Sequence, residues 1–391
     1  MIIMKKHALL CLVATAVALL CISSLALGQQ LTPQKTEDGT NWYDTLKLGL
    51  DGKGWASTKQ PFDRLPSDAE GKVREPVWKL SQDSAGLSVR FVTNATKISA
   101  RWTLRRNNLA LPHMPATGVS GVDLYVKNGG QWHWLAVGRP DKLPTYSQTL
   151  VANLPPGERE YLLYLPLYNG VDSVELGLPP EAMLRTAPTA IPRQKPIVFY
   201  GTSIVQGAAA SRPGMAYPAI LGRRLKYPIV NLGFSGNGRM EPEIARLLSE
   251  LDPQIYVIDA LPNLEPAEVN ERAEQMVKTI RVAHPATPIV LVENINYQDG
   301  ILEQFKRKKY MQKNAALRVA YADLRKQGVR KLYYLKSDGL LGADGEATVD
   351  GTHPNDLGFA RMADAFEPLL RQLLWPRQGK SKIRTQYRLQ F

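Results

Sequence analysis

The sequence predicts two folded units: an all-β sandwich, then a three-layer α/β/α domain built on a parallel sheet. Three observations carry this. Short alternating apolar runs with turn residues between them occupy the first half of the chain; a proline-rich stretch, Pro179 to Pro196, follows; and beyond it fully apolar strands alternate with helical stripes. The expected layout is an export signal over 1–28, a β-sandwich over 29–178, a linker over 179–196, a catalytic-type α/β domain over 197–375 and a basic tail over 376–391.

In the first unit, Leu87–Val92, Ile98–Leu104, Val122–Val126, Trp132–Val137 and Tyr161–Leu165 read as strands, and Asn128-Gly129-Gly130 as a hairpin turn. Their number and spacing suit a jelly-roll-like sandwich. Asp123 reads as a polar group on the solvent face of its strand, and His113 as a loop residue. The loop from Asn107 to Gly118 is a candidate for reaching over a cleft in the second unit.

In the second unit, the buried-strand candidates are Ile197–Tyr200, Ile229–Leu232, Ile255–Ala260, Ile289–Val292 and Leu332–Leu335. Apolar stripes at Ile244/Leu247/Leu248/Leu251, Val269/Ala273/Met276/Val277/Ile280, Leu317/Ala320/Tyr321/Leu324 and Phe359/Met362/Ala363/Phe366/Leu369/Leu370 read as core faces of helices. In such a sheet ligands gather at the strand C-terminal ends.

The chain of 391 residues has 44% hydrophobic and 22% charged residues, which excludes disordered and fibrous classes. Lys5 and Lys6 precede an apolar run from Ala8 to Leu20, and Ala26-Leu27-Gly28 offers a cleavage site, so an exported bacterial protein with no membrane insertion after cleavage is expected. Loss of those two lysines lowers the net charge from +13 to +11. A solvated basic surface accounts for the surplus, since no nucleic-acid-binding module accompanies it. Cys11 and Cys21 both fall in the signal segment, leaving the mature chain without a thiol. Nothing in the sequence speaks to oligomeric state.

Four stretches bear on chemistry: Gly201-Thr202-Ser203 at a strand end, Gly233-Phe-Ser-Gly-Asn-Gly238, Leu261-Pro-Asn263 and Asp350-Gly-Thr-His-Pro354. A serine needs a base to become a nucleophile. Among the mature histidines, His113, His133, His284 and His353, only the last has a carboxylate, Asp350, three residues away in a glycine-containing turn. That spacing lets the carboxylate hold Nδ1 while Nε2 faces the serine.

In order and context these blocks resemble the SGNH (GDSL-like) esterase and lipase superfamily, with Gly-Thr-Ser in place of Gly-Asp-Ser and Leu-Pro-Asn in place of Gly-x-Asn-Asp. Gly121-Val-Asp-Leu-Tyr125 resembles the GxDLY signature of an accessory domain that precedes some of these hydrolases. The resemblance implies a flavodoxin-like hydrolase domain with Ser203, His353 and Asp350 as catalytic triad. It nominates the Ser203 and Gly236 N–H groups and the Asn263 amide as oxyanion donors, and implies no cofactor or metal. It implies a small-molecule or glycan acyl ester as substrate, short acyl groups such as acetyl on a carbohydrate foremost. Lipase or thioesterase chemistry and a degenerate carbohydrate-binding protein are the alternatives.

Asn263 is also a candidate cap for the helix near Pro266, with Glu265 as competitor. Asp350 and His353 with Asp338, Asp344 and Glu346 form a metal-site alternative, for which a solvated acidic loop is the simpler account. Gln206, Arg212, Glu293 and Asn296 are secondary candidates, Arg212 read as surface-exposed.

Overall fold

In the computed structural model, residues 28–188 and 194–376 are described. The expected signal apart from Gly28, part of the linker and all of the tail beyond Pro376 lie outside them. Among the described residues the first half contains ten strands: β1 Lys35–Glu37, β2 Thr40–Asp44, β3 Ser88–Thr93, β4 Ile98–Leu104, β5 Asp123–Asn128, β6 Gln131–Val137, β7 Thr145–Val151, β8 Arg159–Tyr164, β9 Val171–Leu178 and β10 Leu184–Thr186. They form two antiparallel sheets of order β1-β2-β9-β4-β7 and β10-β3-β8-β5-β6. Phe91, Trp102, Leu124, Tyr161, Leu163 and Leu176 fill the space between them. The β5–β6 hairpin turns where expected, with Gly129 and Gly130 at φ 56° and 74° and Asn128 paired with Gln131.

The expected linker departs from the reading. Leu184–Thr186 within it pairs antiparallel with β3, because the prolines flank these residues rather than interrupt them and Leu184 is buried in the sandwich core.

The second half holds a five-stranded parallel sheet of β11 Ile197–Gly201, β12 Ile229–Gly233, β13 Ile255–Asp259, β14 Ile289–Val292 and β15 Leu332–Leu335, in the order β12-β11-β13-β14-β15. Every residue of β11, β13 and β14 is buried, as strands covered on both faces must be. The helices Pro242–Ser249, Pro266–Ala283 and Gln304–Lys326 cover one face, and Tyr217–Leu225 with Asp356–Leu374 the other. Tyr217–Leu225 went unforeseen, its stripe broken by Pro218 in the first turn.

The two units interlock more than the periodicity suggested. Within the stretch read as all-β, Glu75–Ser81 is a helix, and Leu65, Ala69, Val73, Val77 and Trp78 pack with Val198, Tyr200, Leu232 and Ile258 of the parallel-sheet core. Arg64 is 2% exposed and donates to the carbonyls of Leu80, Asp83, Asn231 and Gly233 at 2.7–3.1 Å, bonding the two halves through backbone acceptors. Burial draws its pKa down to about 10. Among the described residues no helix is long and apolar enough to cross a membrane.

Candidate active site

Ser203 is the first residue of a one-turn helix, Ser203–Gln206, directly beyond β11. Thr202 caps it by accepting from the Ile204 N–H at 3.2 Å. The next strand end, β12, leads into the turn Phe234–Gly238. Gly238 lies so close to the β11 terminus that a Cβ would sit 1.9 Å from the Gly201 carbonyl oxygen, which is why only glycine fits. Gly236 adopts φ +69° with open space where a Cβ would be, so it serves the turn's backbone conformation.

The loop after β15 brings the distant imidazole in. Ser203 Oγ lies 3.0 Å from His353 Nε2, and His353 Nδ1 lies 2.7 Å from Asp350 Oδ2. Asp350 Oδ1 also accepts from the Thr352 and His353 N–H groups at 3.0 and 2.7 Å. Partial burial disfavours the Asp350 carboxylate, but the bonds from the His353 backbone and imidazole and from Thr352 outweigh it and hold the pKa below the usual carboxylate range. The loop itself is tied down at Gln298, whose side chain accepts from Ala347 N and Thr348 Oγ1 while its N–H bonds Gly351 O. A serine on a buried strand end, bonded to an imidazole that is oriented by an ionised carboxylate, has the arrangement needed for acyl transfer.

The three residues expected to supply oxyanion donors, Ser203, Gly236 and Asn263, follow the ends of β11, β12 and β13. Asn263 ends the short helix Leu261–Asn263 after β13. With its amide oxygen toward the Phe234–Gly238 turn it accepts from Asn237 N at 3.0 Å and Gly238 N at 3.2 Å. The reverse orientation offers only one contact, to Phe234 O at 3.5 Å. Both N–H groups also donate to Phe234 O at 2.9 Å, so the amide oxygen shares them, and this orientation turns Nδ2 to the opposite side. Asn263 is not needed as a helix cap: Glu265 and Glu268 form a reciprocal capping box on Pro266–Ala283. Among the described residues the Gly236 N–H has no protein acceptor.

Comparison with known proteins gives the family. Residues 194–371 match the GDSL-like lipase/acylhydrolase family, and residues 40–184 match the GxDLY model, the N-terminus of SGNH-hydrolase-type esterases. The crystal structure of a candidate GDSL-like lipase from Bacteroides ovatus ATCC 8483 is 40% identical, covering 86% of this chain and 98% of that one with a TM-score of 0.82. This chain belongs to the GDSL-like lipase/acylhydrolase family. It is an ester-hydrolysing enzyme of the SGNH type with a GxDLY N-terminal domain. The fold is shared with the salicylyl-acyltransferase SsfX3 of a tetracycline biosynthetic pathway (19% identity, 88% of this chain and 97% of that one, TM-score 0.66). A family two carbohydrate esterase from Clostridium thermocellum shares it too (17%, 74% and 92%, 0.53). A search of curated proteins gave no match.

In this GDSL-like hydrolase two readings of single residues are overturned. Asp123, expected on a solvent face, is fully buried: it pairs with Arg212 at 2.9 Å, accepts from Gly214 N at 2.8 Å and from Trp134 Nε1 at 2.9 Å. Arg212, expected at the surface, is the other half of that pair and also bonds the Tyr125 hydroxyl. The GxDLY signature therefore docks the sandwich onto the loop that follows the Ser203 helix, an arrangement that local alternation along β5 does not reveal.

The remaining candidates are supports. Gln206 is buried, donating to Asp83 Oδ2 and Leu167 O, both at 3.1 Å, and accepting from Ser235 N at 3.0 Å, so it joins the sandwich to the turn that carries Gly236. Burial pushes the Asp83 carboxyl up to about 6 against the pull of Arg106 and Arg64. Glu293 accepts from Tyr334 Oη and from Ser337 N and Oγ at 2.8–2.9 Å, holding the start of the loop that bears His353. Asn296 is half-buried beyond β14 and enters none of these contacts. Asp344, weighed as a metal ligand, grips Arg361 through both oxygens at 2.6 Å. His284 bonds Ser249 O, and His133 lies exposed on β6. Arg64, Asp83 and Tyr168, whose hydroxyl donates to Ser203 O at 3.3 Å, were not singled out, because no local motif marks them.

Proposed function

We propose that the protein is an exported bacterial serine esterase that removes short acyl groups, acetyl foremost, from a carbohydrate. The observation that carries it is the continuous chain Ser203 Oγ, His353 Nε2, His353 Nδ1, Asp350 Oδ2 at 3.0 and 2.7 Å. In this reading His353 takes the Ser203 proton as Oγ attacks the ester carbonyl, and the oxyanion is met by Ser203 N, Gly236 N and Asn263 Nδ2. His353 then protonates the leaving alcohol, and water activated by the same imidazole releases the acid. Asp350 keeps the imidazole in the required tautomer.

His113, stacked on His353, and Tyr168, bonded to Ser203 O, put polar groups against the triad, which favours a small acyl group over a long alkyl chain. The Clostridium thermocellum neighbour is a carbohydrate esterase, and the same substrate class is proposed here. The sheet orders β2-β9-β4-β7 and β3-β8-β5-β6 are those of a long antiparallel ribbon folded over on itself, which supports a jelly-roll reading of the accessory domain. The export step rests on the sequence of residues 1–28 alone.

The test is turnover of p-nitrophenyl acetate, butyrate and palmitate, with acetate release from acetylated polysaccharides. Acetate preference, abolished by Ser203→Ala, is expected. A palmitate preference would overturn the short-acyl assignment, and wild-type turnover in Ser203→Ala the nucleophile.

A further inference from the structure

The outer face of the second sandwich sheet meets the parallel-sheet unit at the helix Tyr217–Leu225. A small apolar cluster, Tyr125, Leu162, Tyr164 and Ala219, closes part of that contact. The helix is only nine residues long and ends at Lys226, in the left-handed region at φ 53°. Beyond it a cavity of about 490 Å³ opens between the units. That is the size range of small-ligand sites.

This cavity is separate from the triad. It is lined by none of Ser203, Gly236, Asn263, Asp350 or His353, and it opens beside Pro228 and Ile229 at the start of β12, whereas the oxyanion turn follows that strand's other end.

Its walls have a definite chemistry. Trp132, Leu162, Tyr164 and Tyr227 give flat apolar surface, and Lys127 lies over the Trp132 ring at 5.6 Å. The two lining carboxylates are already engaged: Asp51 with Arg90 at 2.7 Å, and Glu160 with Lys127 at 2.6 Å and Arg90 at 3.6 Å. On the helix side, Arg223 lies in the field of the buried Asp123 carboxylate, and Lys226 is exposed. Arg223 is held over the Tyr125 and Tyr164 rings and donates through Nη2 to Gly214 O. Among the described residues no carboxylate lies within ion-pair distance of Arg223 or Lys226.

We infer that this interdomain cleft is a non-catalytic binding site for an acidic saccharide, a uronic-acid-containing chain. A sugar ring's C–H face stacks on Trp132 while its carboxylate reaches Lys226. The site gives the enzyme a second hold on a polysaccharide, away from the bond it cleaves. The inference shares the carbohydrate class of the proposed function but does not need its chemistry, so the two fail separately.

The experiment is calorimetric titration of the full-length protein carrying Ser203→Ala with oligogalacturonate and with a neutral cello-oligosaccharide, repeated after adding Trp132→Ala or Lys226→Glu. Esterolysis of p-nitrophenyl acetate is measured in parallel with Ser203 intact. Oligogalacturonate is expected to bind, each cleft substitution to weaken it by about tenfold or more, and esterolysis to stay at the unsubstituted level. Lys226 is exposed, so its variant keeps the test valid if Trp132→Ala fails to fold. No binding, equal binding of the neutral oligosaccharide, or binding that survives both substitutions would overturn the inference.

Discussion

The imidazole of His113, carried by the sandwich unit, stacks on the imidazole of His353, with ring centroids 5.1 Å apart and planes inclined by 29°. The loop bearing His113 is pinned to the segment beyond the Ser203 helix: Thr117 Oγ1 donates to Ser211 O at 2.6 Å, and Gly118 lies so near the Ala210 carbonyl that a Cβ would be 2.2 Å from it. The expectation that residues 107–118 reach the cleft is thus realised through one ring on another.

Burial, and next the neighbouring charge of His353, lower the pKa of His113, so its ring is neutral at pH 7 and can face an imidazolium without repulsion. His113→Ala is expected to reduce kcat/KM for p-nitrophenyl acetate by roughly twofold to tenfold, matching a stacking contribution of about 0.5–1.5 kcal/mol. His113→Phe should recover most of it. Fluorophosphonate labelling of Ser203 should persist in both; unchanged kinetics in His113→Ala would remove the residue from the site.

Asn263 and Gly236 are predicted to respond unequally. Asn263→Ala removes a donor amide and also the oxygen that holds Asn237 N and Gly238 N, and a loss of roughly 10²–10³ in kcat is expected. Gly236→Ala keeps its N–H and meets no neighbour, so its cost is the left-handed backbone, about 1–2 kcal/mol of local strain. Steady-state kinetics should show the larger fall for Asn263→Ala, and the reverse ranking would contradict the assigned donors.

The Asp123–Arg212 pair gives a pH-dependent prediction. Burial raises the Asp123 pKa, with Arg212, Gly214 and Arg223 opposing. A carboxyl whose folded pKa is raised stabilises most below its unfolded value, and that contribution declines as pH rises through the folded one. Arg212→Met takes away the strongest opposing charge, so it should destabilise by about 3–5 kcal/mol, more at pH 8 than at pH 5. Denaturant unfolding at both pH values measures this, and adding Asp123→Asn should restore part of the loss.

Asp259, opposite Gly201 at the end of β13, has its carboxyl pushed up to about 7 by burial, with the Tyr217 hydroxyl donating at 2.9 Å. Between an unfolded pKa of about 3.9 and that value the folded chain holds a proton which the unfolded chain releases. Its stability contribution is therefore complete below about pH 4 and lost by about pH 7. Asp259→Asn keeps an acceptor for Tyr217 and should flatten this part of the stability profile. An unaltered slope in urea titrations from pH 4 to 8 would refute the protonated state.

Much of this molecule is legible one residue at a time. Ile289–Val292 and Leu332–Leu335 have the bounds their apolar runs suggest, and the helical stripes lie buried, because periodicity is a property of neighbours along the chain. Ser203, Asp350 and His353 were recognisable from their local blocks. What the sequence alone could not decide is which polar groups become partners. Asp123 looked solvent-facing because alternation along β5 says nothing of a loop 89 positions later that arrives on its outer face. Arg64, Asp83 and Gln206 belong to no motif, and only folding brings them together behind the Phe234–Gly238 turn. The helix at Glu75–Ser81 owes its place to an apolar surface supplied by β11 and β12. Patterns local in the chain establish the elements. Contacts that satisfy buried charge and close apolar surface exist only once distant segments meet, and those contacts bring the serine and the imidazole together.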